Sequence, residues 1–238
     1  MTSLVVPMSA LGDAVSWLGD LSHWQGQNGI PILTYQILKL SFLALVIAAA
    51  IALPIALWLG HVGRGGALAI NITNVGRAIP IYALMVVLAV GPLGLGQRVT
   101  VIALVLFGIP PIVTNTYVGV RGVDRDTVEA ARGMGLTAWQ VLWRVEVPLA
   151  FLLIMTGLRL AAVQILATAT LGAYFLAGGL GFLIYDGFSR QDQAELVSGA
   201  FLVAALALLV EGLFELLQRR LDPVRRTDRA GGVSVPRV

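Results

Sequence analysis

The chain has 238 residues, of which 58% are hydrophobic and only 12% are charged, with a formal net charge of +3. Soluble globular domains average about 25% charged residues, so this composition excludes an ordinary soluble domain. The sequence contains no cysteine, which excludes disulfides, thiol catalysis and thiolate metal sites. The two histidines, His23 and His61, lie far apart on different segments, which argues against a metal centre.

Several apolar runs approach or exceed the roughly 20 residues that a helix needs to cross a bilayer. Because a membrane-spanning backbone must satisfy its own hydrogen bonds, it forms either helices or a closed barrel. The runs are continuously apolar and do not alternate with polar residues, which favours helices. The predicted fold class is therefore all-α, a polytopic helical membrane protein with about five transmembrane helices.

The N-terminal segment, residues 1–30, precedes the first long apolar run. Residues 10–24 place apolar and polar side chains on opposite faces of a helix. Fifteen residues are too few to span a membrane, and Trp17 and Trp24 suit the headgroup interface. We expect an interfacial amphipathic helix here, followed by a loop over residues 25–31, where Gly, Asn and Pro break helicity.

The membrane domain is assigned to residues 31–221, with spans near 33–60, 68–90, 99–120, 148–169 and 196–217. The second span is the least regular, because Asn71, Asn74, Arg77 and Pro80 interrupt it. Residues 171–188 include the run Gly178-Gly179-Leu180-Gly181, which favours a short helix and a loop at the outer side over a further span. Pro54, Pro110 and Pro111 are interpreted as helix kinks.

The orientation follows from the basic residues near the ends of the spans. Five spans place 11 of the 16 basic residues on one side, which is therefore cytoplasmic: Arg64, Arg121, Arg125, Arg132, Arg144, Arg219, Arg220, Arg225, Arg226, Arg229 and Arg237. The N-terminus is then outside and the C-terminus is cytoplasmic. Residues 222–238 form a basic cytoplasmic tail, which suits the anionic membrane surface.

A partly polar loop, residues 121–147, joins the third and fourth spans. Asp126, with Glu129 three residues later, is predicted to cap the start of a short helix. Gly135 is predicted to end that helix in the left-handed conformation. Thr137 and Gln140 repeat the capping pattern for a second short helix.

Pro148 is predicted to end this second helix or to redirect it into the membrane. Two short helices joined at a glycine would form a rigid elbow parallel to the membrane. The small side chains of Ala130 and Ala131 would let a partner surface approach closely. The alternative is a well-capped amphipathic connection with no partner.

The spacing of this loop resembles the cytoplasmic EAA loop of bacterial ABC-importer permeases. Glu129-Ala130-Ala131 is followed after three residues by Gly135, and after nine more by Val145-Glu146-Val147-Pro148. Val145 and Val147 stand where the family commonly has Ile and Leu. In that family the elbow docks into a groove on an ATPase subunit and transmits nucleotide-driven closure to the spans. The resemblance implies these ATPase-coupling residues: Arg125, Glu129, Ala130, Ala131, Arg132, Met134 and Gly135.

Segments 74–80, 114–124, 157–163 and 177–181 are similar to permeases of osmoprotectant importers, which move glycine betaine, choline, carnitine or proline betaine. The run from Asn115 to Asp124 is the part most specific to that branch. Methionine-type permeases share the Gly-Gly-Leu-Gly element and the five-span plan. The resemblance therefore implies a type I ABC-importer permease fold, like that of methionine permeases, and leaves a methionine or other amino-acid importer as the alternative.

The chain lacks a P-loop, because its single lysine, Lys39, follows Leu38 instead of glycine. It is therefore expected to be a transport subunit and not an enzyme, with ATP and Mg bound by a separate cytoplasmic ATPase and no cofactor of its own. The resemblance also implies a second permease chain, identical or a sister, and an extracytoplasmic solute-binding protein. The expected location is the bacterial plasma membrane, and no nucleic-acid partner is expected, because topology explains the basic residues.

Polar side chains at membrane depth face either a pathway or a neighbouring helix. The candidates for the translocation pathway are Asn74, Arg77, Asn115, Thr116, Thr168 and Thr170. Arg159 also needs an acceptor, and Glu211 is an acid at a similar depth. We predict that Arg159 and Glu211 form an ion pair that holds the fourth and fifth spans together.

Two other classes remain as alternatives. A self-contained channel or secondary transporter predicts an internal repeat or a filter sequence, and the sequence shows neither. A membrane enzyme predicts a cluster of acid, base or metal-binding residues, whereas the acids of this chain are scattered.

Overall fold

The structure, a computed structural model, describes residues 8–63, 71, 79–91 and 93–221. These residues form helices and connecting turns, and none of them lies in a β-strand. The α-helices are α1 (Met8–Gly19), α2 (Ile30–Val62), α3 (Ile81–Val90), α4 (Gln97–Arg121), α5 (Arg125–Gly133), α6 (Ala138–Val141), α7 (Val147–Ala169), α8 (Gly181–Arg190) and α9 (Gln193–Leu221). Two 3₁₀ helices cover Leu21–Trp24 and Thr170–Phe175, and a π-helical turn covers Leu142–Glu146.

Four helical stretches among the described residues are long and apolar enough to cross a membrane: Ile30–Val62, Gln97–Arg121, Ala138–Phe175 and Gln193–Leu221. The all-α class predicted from the apolar runs is confirmed. The second predicted span, 68–90, lies partly outside the described residues. Its described part is α3, whose ten residues extend only about 15 Å and do not cross a bilayer by themselves.

The N-terminal helix is shorter than predicted. It ends at Gly19, and the side chain of Asp20 then accepts a hydrogen bond of 2.9 Å from the backbone nitrogen of Ser22. That bond caps the 3₁₀ helix Leu21–Trp24, and it lowers the pKa of the Asp20 carboxyl. The prediction of one helix over 10–24 is therefore wrong, because the aspartate side chain competes with the backbone and starts a new turn.

The α1 helix is attached to α9 by a buried contact. Ser198, which is fully buried, donates a hydrogen bond of 3.2 Å to the carbonyl oxygen of Ala14. Val15, on the same helix, is 70% exposed. The loop that follows is also shorter than predicted, because Pro31 lies in the first turn of α2, where proline is well tolerated.

The chain divides into two compact units. Within the described residues, the first unit contains 8–47, 79–108 and 162–210, and the second contains 48–63, 109–161 and 211–221. Each of the four long helical stretches contributes residues to both units.

The side chains on the buried face of α2 become smaller along the helix. Leu33 and Ile37, in the first unit, are among its large buried side chains. Further along, a residue at every fourth position is fully buried and small: Ala44, Ala48, Ala52 and Ala56. The buried face continues to Gly60, where an added Cβ would lie 2.8 Å from the Cβ of Val120. Small residues let α2 and α4 approach closely in the second unit, as is common between membrane helices.

The predicted kinks fall inside continuous helices. Pro54 lies within α2, and Pro110 and Pro111 lie within α4. The Asn115 side-chain amide donates to the carbonyl oxygen of Pro111 at 2.8 Å. This is a local bond to the carbonyl four residues earlier in the same helix, and it satisfies the polar side chain of Asn115 within α4.

Candidate functional site

The elbow between α4 and α7 lies entirely within the second unit, and it begins at an N-cap two residues earlier than predicted. Asp124, not Asp126, is the cap: its Oδ1 accepts from the backbone nitrogen of Asp126 at 3.2 Å. Its Oδ2 accepts from the Thr127 hydroxyl at 3.3 Å. Glu129 therefore does not take part in a capping box, and its carboxylate is left exposed on α5.

The α5 helix ends in the way that the sequence predicts, with a glycine in the left-handed conformation just beyond it. Gly135 has a φ of +87°, in the left-handed region. Its backbone nitrogen donates to Arg132 O at 2.9 Å, and the nitrogen of Leu136 donates to Ala131 O at 3.3 Å. These two bonds form a Schellman motif, which satisfies carbonyl groups that the end of a helix otherwise leaves free.

The second short helix starts with the predicted capping box. Gln140 N donates to the Thr137 hydroxyl at 3.4 Å, and Thr137 N donates to the Gln140 side chain at 2.9 Å. However, this helix does not end at Pro148. It continues through the π-helical turn Leu142–Glu146 into α7. Proline has no backbone N–H, so it cannot make the usual bond to the carbonyl four residues earlier. The π turn before it shifts the backbone bonds by one residue, and the helix continues without a break. The fourth predicted span therefore follows directly from the elbow.

The residues predicted to contact an ATPase lie on both faces of the elbow. Ala131 is 3% exposed and packs against its own chain, so it does not offer the close-approach surface that the sequence predicts. The others are exposed: Arg125, Glu129, Ala130, Arg132, Met134 and Gly135. Met134 is 76% exposed, so the turn after α5 presents an apolar side chain at the surface of the elbow.

Two exposed tryptophans, one in α6 and one in the π turn that follows it, were not singled out from the sequence. Trp139 and Trp143 are 68% and 46% exposed, and their rings meet edge to face with centroids 5.5 Å apart. Their four-residue spacing places them on one face of the helical stretch. They widen the exposed apolar surface of the elbow beyond Met134.

Behind the elbow lies a buried pair that sequence analysis missed. His61 Nδ1, near the end of α2, is 2.6 Å from Glu146 Oε2, at the end of the π turn. The two side chains are 14% and 6% exposed. They are 85 positions apart in the chain, so neither periodicity nor motif spacing connects them.

A cavity of about 200 Å³ adjoins this pair. Its lining includes both members of the pair, Val128, Glu129 and Arg132 of α5, and Arg121 at the end of α4. Three arginines line it in all, since Arg125 also contributes. The cavity therefore carries positive charge beside the exposed Glu129.

The described pathway candidates mostly bond within their own helices. Thr168 donates to Gln164 O and Thr170 donates to Ala167 O, each at 2.7 Å, and Asn115 is bonded to Pro111 as described above. Thr116 is fully buried, and its hydroxyl has no hydrogen-bond partner within the described part of the chain. Asn74 and Arg77 lie outside the described residues, so their predicted role stays a prediction.

Arg159 and Glu211 approach each other within the second unit. Arg159 Nε lies 3.4 Å from Glu211 Oε1. The contact is an ion pair without hydrogen-bond geometry, because the same nitrogen has no hydrogen-bond acceptor. The two side chains are 25% and 41% exposed.

The Gly-rich segment lies in the first unit and forms a tight turn between two short helices. The 3₁₀ helix Thr170–Phe175 leads to Gly178 and Gly179, which have φ values of +75° and +88°. The backbone nitrogen of Gly179 donates to the side chain of Gln36 at 2.9 Å. The turn continues into the ten-residue α8, so the prediction of a short helix and a loop is confirmed.

The described residues contain no group of three or more His, Cys, Asp or Glu side chains placed to hold a metal ion.

The helical spans and the exposed elbow define a multi-span membrane subunit. Residues 50–226 match the family described as the inner membrane component of binding-protein-dependent transport systems. The chain belongs to that family. Membership favours a transport subunit over the membrane enzyme and the self-contained channel.

Relatives within the family resemble the chain over most of its length. It is 37% identical over 209 residues to the carnitine transport permease OpuCB of Listeria monocytogenes, covering 87% of this chain and 95% of the relative. It is 30% identical over 198 residues to the glycine betaine/carnitine/choline permease OpuCB of Bacillus subtilis strain 168, covering 82% and 91%.

The solved structures extend the comparison to the fold. An inward-facing structure of the MetNI methionine ABC transporter is similar with a TM-score of 0.69 at 22% identity. The match covers 78% of this chain and 93% of that chain. It confirms the predicted permease fold, like that of methionine permeases.

Proposed function

We propose that this chain is the transmembrane subunit of an ATP-driven importer for osmoprotectants such as glycine betaine, carnitine, choline or proline betaine. The observation that carries the proposal is the similarity along nearly the whole chain to permeases named for carnitine and glycine betaine transport. The likeness to the methionine transporter, at 22% identity, concerns the fold and does not favour methionine as the solute.

The proposed energy source is a separate cytoplasmic ATPase that docks on the elbow. Support comes from the exposure of Arg125, Glu129 and Met134 on a segment held rigid by local capping bonds. A rigid segment transmits displacement, whereas a flexible loop would absorb it. The residues of the chain would act by positioning and by alternating access, while ATP and Mg would bind to the ATPase.

The proposed assembly has two permease chains, identical or sister, and an extracytoplasmic solute-binding protein. The proposed orientation places the N-terminus outside and the C-terminus in the cytoplasm of a bacterial plasma membrane. The argument for it is the basic bias of the elbow side, since Arg121, Arg125, Arg132 and Arg144 cluster there.

The solute is tested with the complete complex in proteoliposomes. We expect ATP-dependent uptake of labelled glycine betaine, carnitine or choline, and little uptake of methionine. Uptake of methionine alone would contradict the osmoprotectant proposal and leave the importer class in place. Uptake without ATP or an ATPase would contradict the importer class.

The docking site is tested by Glu129→Arg, which reverses an exposed charge on α5. Like charges placed against each other at an interface cost several kcal/mol, so we expect the ATPase to be lost on co-purification. The control is Asp13→Arg, the same charge change at an exposed position on α1 in the other unit. It should co-purify with the ATPase like the wild type, and a similar yield from Glu129→Arg would contradict docking at α5.

We also propose that Arg159 and Glu211 stabilise the packing of α7 against α9. Either single charge reversal leaves two like charges 3.4 Å apart in the present geometry, and should lower the yield of dimeric permease. The double reversal restores opposite charges, so recovery of dimer is expected. Failure to recover would contradict the pairing role.

A further inference from the structure

The His61–Glu146 pair differs from the other ion pairs in the described residues by its burial. In each of the others at least one side chain is 41% or more exposed: Arg159–Glu211, Arg190–Asp186 and Arg219–Glu215. In the His61–Glu146 pair neither side chain is more than 14% exposed. Exposed pairs contribute little to structure, whereas a buried carboxylate is costly unless it is paired and hydrogen-bonded.

The geometry of the pair makes it hard to separate. With Glu146 ionised, the Nδ1–H of His61 donates to Oε2, and 2.6 Å is short for such a bond. If the end of α2 moved away from the π turn, the carboxylate would lose its hydrogen bond to His61 at a position that is only 6% exposed. The two elements are therefore expected to move as one.

The position of Glu146 in the chain places the pair on the route from the elbow to the spans. Continuing from α5 through Gly135 and α6, the backbone reaches the π turn that ends at Glu146 before it enters α7. The backbone alone thus connects the elbow to α7. No adjacent stretch of backbone joins the elbow to α2, and the hydrogen bond from His61 to Glu146 supplies a noncovalent connection.

The cavity beside the pair gives α5 room to move toward it. About 200 Å³ is lined by His61 and Glu146 together with Val128, Glu129 and Arg132 of α5. The far side of α2 is fixed differently, since Gly60 leaves no space against Val120 of α4. The end of α2 is thus held by close packing on α4 and by one polar bond to the π turn.

We propose that the His61–Glu146 hydrogen bond is a transmission link that makes α2 follow the elbow when the elbow is displaced. The inference rests on the proposed function, because it needs an ATPase acting on α5. His61 and Glu146 are positioning residues in this account: they contact neither solute nor nucleotide and act by coupling α2 to α7.

The test measures solute imported per ATP hydrolysed by the intact complex in proteoliposomes. His61→Leu and Glu146→Gln each weaken the bond, and both are compared at equal amounts of assembled complex. We expect ATP hydrolysis to persist while solute per ATP falls about fivefold or more, the lower end of typical coupling between sites. A residue needed only for folding would lower the yield of complex and leave this ratio unchanged.

Two further variants keep the test decisive. The exchange His61→Glu with Glu146→His restores an opposite-charge pair at the same two positions, and should recover part of the lost ratio. The control Glu215→Gln breaks the exposed pair with Arg219, and should import as much solute per ATP as the wild type.

The outcomes separate the inference from the proposed function. A wild-type ratio in both single variants, or an exchange variant no better than the single variants, overturns the transmission link while the importer stands. Failure of the wild-type complex to couple ATP hydrolysis to uptake overturns the proposed function itself.

Discussion

Two segments of this chain place short helices and glycines with positive φ between long helices, and they differ in how far local bonds account for their structure. The elbow, residues 122–146, is mostly exposed and is held by local bonds, namely the Asp124 cap, the Schellman motif at Gly135 and the Thr137 capping box. The glycine turn, residues 170–192, is less exposed. It has local bonds as well, from Ala177 N to Gly172 O and from Asp192 N to Gly187 O, but its glycines also pack tightly against distant parts of its unit.

Glycine has a different role in each segment. Gly135 has open space around it, so only its φ of +87° requires glycine. Gly181 and Gly187 have ordinary φ values but no space, since an added Cβ at Gly187 would lie 2.6 Å from the backbone nitrogen of Leu196. The elbow is thus made rigid mainly by its own hydrogen bonds, whereas the glycine turn is also made rigid by close packing against its surroundings.

The largest loss of protein stability is expected from Gly181→Ala. The new Cβ would overlap the carbonyl oxygen of Thr170, which is backbone and cannot move aside easily. We expect a loss of about 3 kcal/mol or more, the upper end of overpacking costs, seen as loss of monodisperse protein in detergent.

The control for this change is Gly212→Ala in α9, where nothing lies within 4 Å of the new Cβ. Alanine should stabilise that helix by up to about 1 kcal/mol, with full recovery of protein. A Gly181→Ala variant that is as stable as the wild type would remove the distinction between the two segments.

A smaller effect is expected from Gly135→Ala. The left-handed conformation costs a non-glycine residue about 1–2 kcal/mol, and no clash adds to it. Because the strain lies at the turn between α5 and α6, we expect weaker binding of the ATPase and a loss of stability no larger than about 1–2 kcal/mol, which is less than that of Gly181→Ala.

Gly133→Ala is the matched control, two residues away in α5, with open space and no left-handed φ. It should bind the ATPase as the wild type does. Equal binding by both variants would show that the conformation at Gly135 does not matter for docking.

The smallest effect is expected from Thr137→Ala, which removes one acceptor of the capping box. The cost is about 1 kcal/mol and should be confined to the start of α6. Faster hydrogen exchange of the Gln140 amide would report it, and Thr137→Ser should retain slow exchange. Faster exchange throughout α7 would contradict a local role for the cap.

Local pattern predicted the elbow well because its bonds join residues only two to five positions apart. The pairing of Thr137 with Gln140 and the stop at Gly135 are confirmed. The start was wrong, since Asp124 and Asp126 are both good caps and the choice depends on where α4 ends. Of the two predicted outcomes at Pro148, an end of the helix is wrong, because a π turn before the proline lets the helix continue, and no residue pattern specifies such a turn.

The sequence by itself determined the all-α membrane class, the family, and the place of the elbow, because apolar runs, capping residues and motif spacing are short-range properties. Arg159 and Glu211 were paired from sequence for a different reason: charges at that depth are so few that each has few possible partners.

Only the tertiary structure decided which distant residues meet. It joined His61 to Glu146 across 85 positions and Gln36 to Gly179 across 143. It also turned Ala131 inward, although Ala130 beside it is exposed. Such outcomes depend on how whole helices pack, and close packing of side chains far apart in the chain leaves no period or spacing in the sequence.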